Sequence, residues 1–233
     1  MPEHYAALVR PIIDRVYTSV RRAARPRTID VVERMGLQPG FISSFYFGLL
    51  ARPMPAASFA AATTYSGSDM TEELEQGIAW LDADGTWHIT ESGRALGLAL
   101  QLAIAEGAQE FWADRASTLP RLAELLGRLL EAGAATGGPA FAALAPAYEP
   151  DGASPALLVT SRLGALRHHR ADAHRAAWQS AGLSLPGLLA LPADSPARVA
   201  IEGDTNRRDA PVYGCLTADE RTEFMGLLGA LPG

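Results

Sequence analysis

Apolar residues recur at helical spacing over the first 25 positions. Tyr5, Leu8, Val9, Ile12, Ile13, Val16, Tyr17 and Val20 form one stripe, with Arg10, Arg15, Arg21 and Arg22 mostly off it. Pro26 breaks this pattern. Thr28 is placed to cap a short helix that stops at Gly36. An aromatic-rich stretch, Gly40 to Ala51, leads into a turn at Arg52-Pro53-Met54-Pro55, and helices are expected over 56–64 and 70–77. Two strand-like runs, Ile78 to Leu81 and Thr86 to Ile89, flank the turn signal Asp82-Ala83-Asp84-Gly85. Thr90 then caps a helix predicted to run from Glu91 to about Arg115.

The second half reads as helical. Leu122, Leu125, Leu126, Leu129 and Leu130 mark one apolar face that ends at Gly133. Residues 134–154 read as a Gly/Pro/Ala loop, and Pro155 to about Ala181 as a long helix stopped by Gly182. A helical turn near 186–191 and an irregular polar stretch over 198–213 follow. The last helix opens on a capping box, Thr217 with Glu220. Helices, a hairpin and then W-x-I-T-x-x-G-R-x-L from Trp87 to Leu96 are the layout of a winged helix-turn-helix. The expected fold class is therefore mainly α: a winged helix-turn-helix core with a small β-hairpin wing, plus an α-helical C-terminal half. The expected division is an N-terminal dimerisation helix (1–27), the winged-helix domain (28–97) and a helical domain (98–233).

Composition narrows the class without naming a reaction. The chain has 233 residues, 48% of them hydrophobic, enough to build a core and to exclude disorder. No uncharged apolar run approaches the ~18 residues of a membrane span. The opening segment, MPEHYAALVR, lacks an apolar leader, so a cytoplasmic protein is expected. Cys215 is the only cysteine, which excludes an internal disulfide, a CxxC pair and a Cys-rich zinc site. All 20 basic side chains are Arg and none is Lys, a mark of codon usage more than of mechanism.

A winged helix reads DNA with the helix before its wing. Here that helix is Asp69-Met70-Thr71-Glu72-Glu73-Leu74-Glu75-Gln76, with four carboxylates and no cation. Asp82 and Asp84 occupy the wing turn. Phosphate neutralisation supplies nearly all non-specific DNA affinity, so DNA is not the expected partner.

The long helix carries L-G-A-L-R-H-H-R-A-D-A-H-R-A-A-W from Leu163 to Trp178. Val159, Leu163, Leu166, Ala177 and Ala181 define an apolar stripe; Arg170 falls at its centre and His174 beside it. His168, Asp172 and Arg175 fall opposite, and His169 toward an edge. Two readings stay open. Arg170 is tied to a buried carboxylate, since an unpaired buried guanidinium costs several kcal/mol. Or Arg170 and His174 line a pocket, Arg170 holding an anion or oxyanion and His174 moving a proton, with Asp172 orienting a neighbour. No metal is expected: His169 and His174 lie about 140° apart on the helix. No cofactor is expected either, because GxSxG, P-loop, GxGxxG and HExxH are all absent.

Two segments, Y-F-G-L-L-A-R-P-M-P at Tyr46–Pro55 and L-R-H-H-R-A-D-A-H at Leu166–His174, resemble actinobacterial winged helix-turn-helix proteins of the SalK-like, MarR-like kind. Arg167, His169, Arg170, Asp172 and His174 match that family's second motif. His168 stands at its Glu, Ala171 and Ala173 at its glycines, and Leu50 at the Arg of its first motif. The resemblance implies the fold, a homodimer, and a place among biosynthetic genes, more than any one activity. The expected protein acts on a small molecule on a repurposed winged-helix fold, as a cofactor-independent acid–base enzyme or a ligand-binding protein. The alternative is a ligand-responsive regulator that binds DNA. The expected catalytic residues are His174, Arg170 and Asp172. Tyr46, Phe45, His169, Trp87 and Trp112 are the expected substrate contacts, in a pocket between the aromatic helix and the long helix.

Overall fold

A computed structural model describes residues 2–38, 43–66 and 70–233. Among these the chain is mainly helical, with one small antiparallel sheet. Helix α1 (Pro2–Arg34) runs unbroken through Pro11 and Pro26. The expected break at Pro26 does not occur, and Thr28 donates its hydroxyl to the Arg25 carbonyl instead of capping a new helix. The missing Pro26 amide costs about 3 kcal/mol in a helix interior. Burial of Val20, Ala24, Val31 and Val32 on both sides of the proline outweighs it.

Helices α2 (Ser43–Ala51), α3 (Ala56–Thr63) and α4 (Thr71–Glu75) lead into strands β1 (Ala79–Leu81) and β2 (Trp87–Ile89). The strands pair Ala79 with Ile89, Trp80 with His88 and Leu81 with Trp87. The Asp82 carboxylate shapes the turn by accepting from the amides of Asp84 and Thr86, and Gly85 takes the positive φ of +75° there. A backbone bridge from Met54 to Trp87 adds a third edge to the hairpin.

Thr90 caps α5 (Glu91–Phe111) through the Gly93 amide. A 3-10 turn at Ala113–Thr118 joins it to α6 (Leu119–Gly133), whose five predicted leucines are all buried. The stretch read as a loop contains α7 (Pro139–Leu144). Helix α8 (Pro155–Ser180) ends at Gly182 as the sequence requires, and α9 (Leu185–Ala190) follows. The stretch read as irregular is α10 (Pro196–Asp209), capped by Ser195 with Pro196 in the first turn. The capping box of Thr217 and Glu220 opens α11 (Ala218–Ala230).

Helix α8 is the axis of the molecule. It touches α1, α3, α5, α6, α7 and α10. Helix α1 lies along α5, and a Cβ on Gly107 would come within 2.8 Å of the Ala24 backbone. Only glycine lets the two helices approach so closely there. One apolar core draws residues from Ala6 to Leu231, so the boundaries expected at 27/28 and 97/98 fall inside α1 and α5. No helix among the described residues is long and apolar enough to cross a membrane.

Candidate functional site

A cavity of about 520 Å³ opens beside α8, a size typical of small-molecule sites. Helix α8 contributes Leu166, Arg167, His168, Arg170, Ala171 and His174. Helix α1 adds Arg10, Ile13 and Asp14; Tyr65 follows α3; Leu188 and Leu189 come from α9 and Arg198 from α10. One turn of α8 separates Arg170 from His174, so both present side chains to the same space.

His174 sits in a line of hydrogen bonds. Its Nδ1 lies 2.9 Å from the Tyr65 hydroxyl. Trp178 Nε1, which can only donate, gives its proton to the same Tyr65 oxygen at 3.1 Å. Tyr65 can then donate its own proton to Nδ1, an arrangement that puts the imidazole proton on Nε2, toward Glu202. That nitrogen is 3.6 Å from Glu202 Oε1, beyond hydrogen-bond length, and among the described residues it makes no hydrogen bond. Burial holds the His174 pKa below its ordinary 6.5; Glu202 opposes the shift, and the Arg10, Arg170 and Arg198 guanidiniums reinforce it. Burial also raises the Tyr65 phenol. The pair at rest is a neutral phenol donating to a neutral imidazole.

Arg170 takes part in both of the arrangements that the sequence left open. Its side chain lines the cavity, and its two Nη atoms reach Asp209 at 3.3 Å and Glu202 at 3.2 Å. Its Nε is buried without a hydrogen-bond partner. Its charge is already answered, which leaves little of it to hold a ligand anion. Asp14 similarly joins Arg10 and Arg167, and the Arg167 guanidinium rests on the Tyr17 ring. Burial lowers the His168 pKa too, and its Nδ1–H donates to the Gly164 carbonyl.

No protein-family model, curated protein or solved structure matches this chain. The site therefore rests on its own geometry.

The remaining predicted residues lie elsewhere. Asp172 is buried, not exposed on an opposite face. It accepts from the amides of Ala140 and Phe141 and pairs with Arg175, so it anchors the start of α7 and does not line the cavity. His169 is 1% exposed, held between Asp209 and Thr136 at 2.8 and 2.9 Å. Tyr46 is buried with its hydroxyl on Glu73, Trp87 packs tilted against the Phe59 ring, and Trp112 is fully buried. None of these lines the cavity. The side chain of Phe45 lies outside the described residues. Between α2 and α8, where the sequence placed the pocket, Phe47, Tyr148 and Gly164 border a space of only about 20 Å³. That is room for about one water. Among the described residues no three His, Cys, Asp or Glu side chains gather to hold a metal.

Sequence reasoning missed Tyr65, Glu202 and Arg198. The signal for α10 was present: Ser195-Pro196 is a cap followed by a first-turn proline. Reading it as a helix puts Glu202 and Asp209 two turns apart on one face. Nothing near Tyr65 in the sequence points to His174.

Proposed function

We propose that this chain binds or transforms a small organic molecule in the cavity beside α8. It does so by acid–base chemistry without a cofactor, in specialised metabolism, on a repurposed winged-helix fold. The observation that carries this reading is the Tyr65–His174 pair on the wall of a 520 Å³ cavity, with Trp178 and Glu202 behind it at the two ends of the line. A phenol oxygen has two lone pairs. Trp178 occupies one, which leaves the other to accept a ligand proton. A ligand proton moves to Tyr65 Oη as the Tyr65 proton moves to His174 Nδ1. The imidazolium that results points its Nε2–H at Glu202. The reverse sequence returns the proton.

The winged-helix part of the proposal is supported by the three short helices α2, α3 and α4 between α1 and the hairpin, and by Met54 pairing with β2 as an added edge. Glu72 and Glu75 are on the outside of α4 or near it, and Asp82 and Asp84 occupy the wing turn. That surface opposes phosphate. Leu98 and Leu102, exposed one turn apart on α5, are where a second copy would pack in the proposed homodimer.

The test is a thermal-shift screen of small organic molecules, repeated with Tyr65→Phe and His174→Gln. Loss of the stabilising hits in both variants, with unchanged circular dichroism, is the expected result. Hits that survive in both variants overturn the reading. A shift of promoter DNA at low salt, with a steep salt dependence, would favour a regulator instead.

A further inference from the structure

The charges around the cavity do not cancel. Four guanidiniums line it, those of Arg10, Arg167, Arg170 and Arg198. Among the described residues three carboxylates answer them. Asp14 bonds to Arg10 and Arg167. Asp209 and Glu202 bond to Arg170, and Glu202 also lies 3.8 Å from Arg10. Arg198 differs from the other three. Its Nη1 donates to the Leu188 carbonyl at 2.8 Å, a neutral acceptor, and among the described residues no carboxylate pairs with it. That bond fixes the side chain at the C-terminal end of α9 while leaving Nε and Nη2 for another partner. The histidines on the wall add no charge, since burial favours the neutral forms of His168 and His174.

The rest of the lining is mostly apolar or aromatic, with Ile13, Ala62, Leu166, Leu188, Leu189 and the Tyr213 ring, and Ser66 adds one neutral hydroxyl. One uncompensated guanidinium over such a wall selects a single negative charge on an apolar body. A dianion would leave the site with excess negative charge. A guanidinium fork fits a planar carboxylate best, through two parallel N–H···O bonds.

We propose that the ligand of this cavity is an organic monoanion, a carboxylate on a compact apolar body, and that Arg198 is its anchor. The assignment rests on reading the cavity as a ligand site. It moves the anion-holding role from Arg170, whose charge is spent on Asp209 and Glu202, to α10. With the carboxylate on Arg198, the body of the ligand lies toward Tyr65 and His174.

The test is calorimetric titration with benzoate, 2-naphthoate and octanoate, each beside its neutral primary amide, at low ionic strength. At least one carboxylate is expected to bind about tenfold more tightly than its amide, a difference of one charge-assisted contact. Arg198→Met should abolish that preference and leave amide affinity unchanged, and Arg198→Lys should restore part of it. The wild-type carboxylate–amide comparison needs no variant, so it decides the anion question even if Arg198→Met fails to fold. Equal binding of acid and amide overturns the monoanion and leaves the cavity reading standing. A preference that survives Arg198→Met overturns Arg198 as anchor. Binding of neither series overturns both this inference and the ligand site it rests on.

Discussion

The hydroxyl of Tyr65 lies 2.9 Å from Nδ1 of His174, joining the turn after α3 to the C-terminal third of α8. Trp178 reads the other side of the same oxygen. Tyr65→Phe removes the hydroxyl and leaves the ring in place. About 1 kcal/mol of stability should be lost, the net worth of one hydrogen bond. Any proton transfer in the cavity should slow by about 10²-fold. Imidazole ¹⁵N shifts provide the direct check: His174 should lose its fixed tautomer. An unchanged ¹⁵N spectrum would show that Tyr65 does not set it.

Asp209 is fully buried and divides its two oxygens between His169 and Arg170. Asp209→Asn should cost about 3 kcal/mol, because one partner of a buried pair is then left uncompensated. Adding Arg170→Met should recover part of that loss. Urea denaturation measures both. A cost below about 0.5 kcal/mol for the single variant would mean that the pair contributes nothing net.

Asp172 and His174 lie half a turn apart on α8 and should behave differently. Asp172→Ala strips an acceptor from two α7 amides and should destabilise by about 2 kcal/mol. Ligand affinity should hold. His174→Gln should do the reverse, with a small stability change and lost ligand response. Identical behaviour of the two variants would remove the distinction drawn between them.

Acidification should unfold the protein earlier than its carboxylates alone would. His168 and His174 both titrate below their ordinary 6.5 in the folded state, chiefly through burial. Above 6.5 both states are neutral and the full stability is present. As pH falls below 6.5 the unfolded chain takes up protons first, so stability declines until the folded-state pKa values are passed. Melting temperatures between pH 7.5 and 5 test this. The decline should be shallower in His174→Gln. A melting temperature that stays level down to pH 5 contradicts the buried neutral histidines. Proton transfer that uses His174 as acceptor should likewise be level near neutrality and fall on the acid side.

Gly107→Ala should destabilise despite alanine's better helix propensity. The new methyl would sit 2.8 Å from Ala24 of α1, against backbone that has no room to move aside. About 1–3 kcal/mol is expected, as for overpacking elsewhere. A chemical-denaturation midpoint that rises instead would mean that the two helices separate freely.

Most caps and stops are legible in the sequence because they are local; Pro26 and Thr28, overridden by packing within α1, are the exceptions. Thr90, Gly182 and the Thr217–Glu220 box all act where their residue types predict. The leucine face of α6 was legible too, since that helix has one wet side. Helix α8 was not. Neighbours surround it, so polar residues off its apolar stripe are buried as well, and a 3.6-residue period cannot tell which partner each one meets. Arg170 and His174 stand out in that stripe as polar residues on an apolar face, and both face the cavity. The rest of the wall comes from α1, the end of α3 with Tyr65 and Ser66 after it, α9, α10 and Tyr213, and no spacing rule links those segments.

Arg10 and Glu202 approach each other across the cavity from the first helix and the tenth. A chain emerging from the ribosome makes α1 long before α10 exists to meet it. The space between them is thus among the last features to close during synthesis, after the local helices have formed. A ligand that needs both walls has no affinity for partly made or partly folded chains. Its binding then favours the finished fold by mass action, so an occupied cavity also marks a chain that has completed folding.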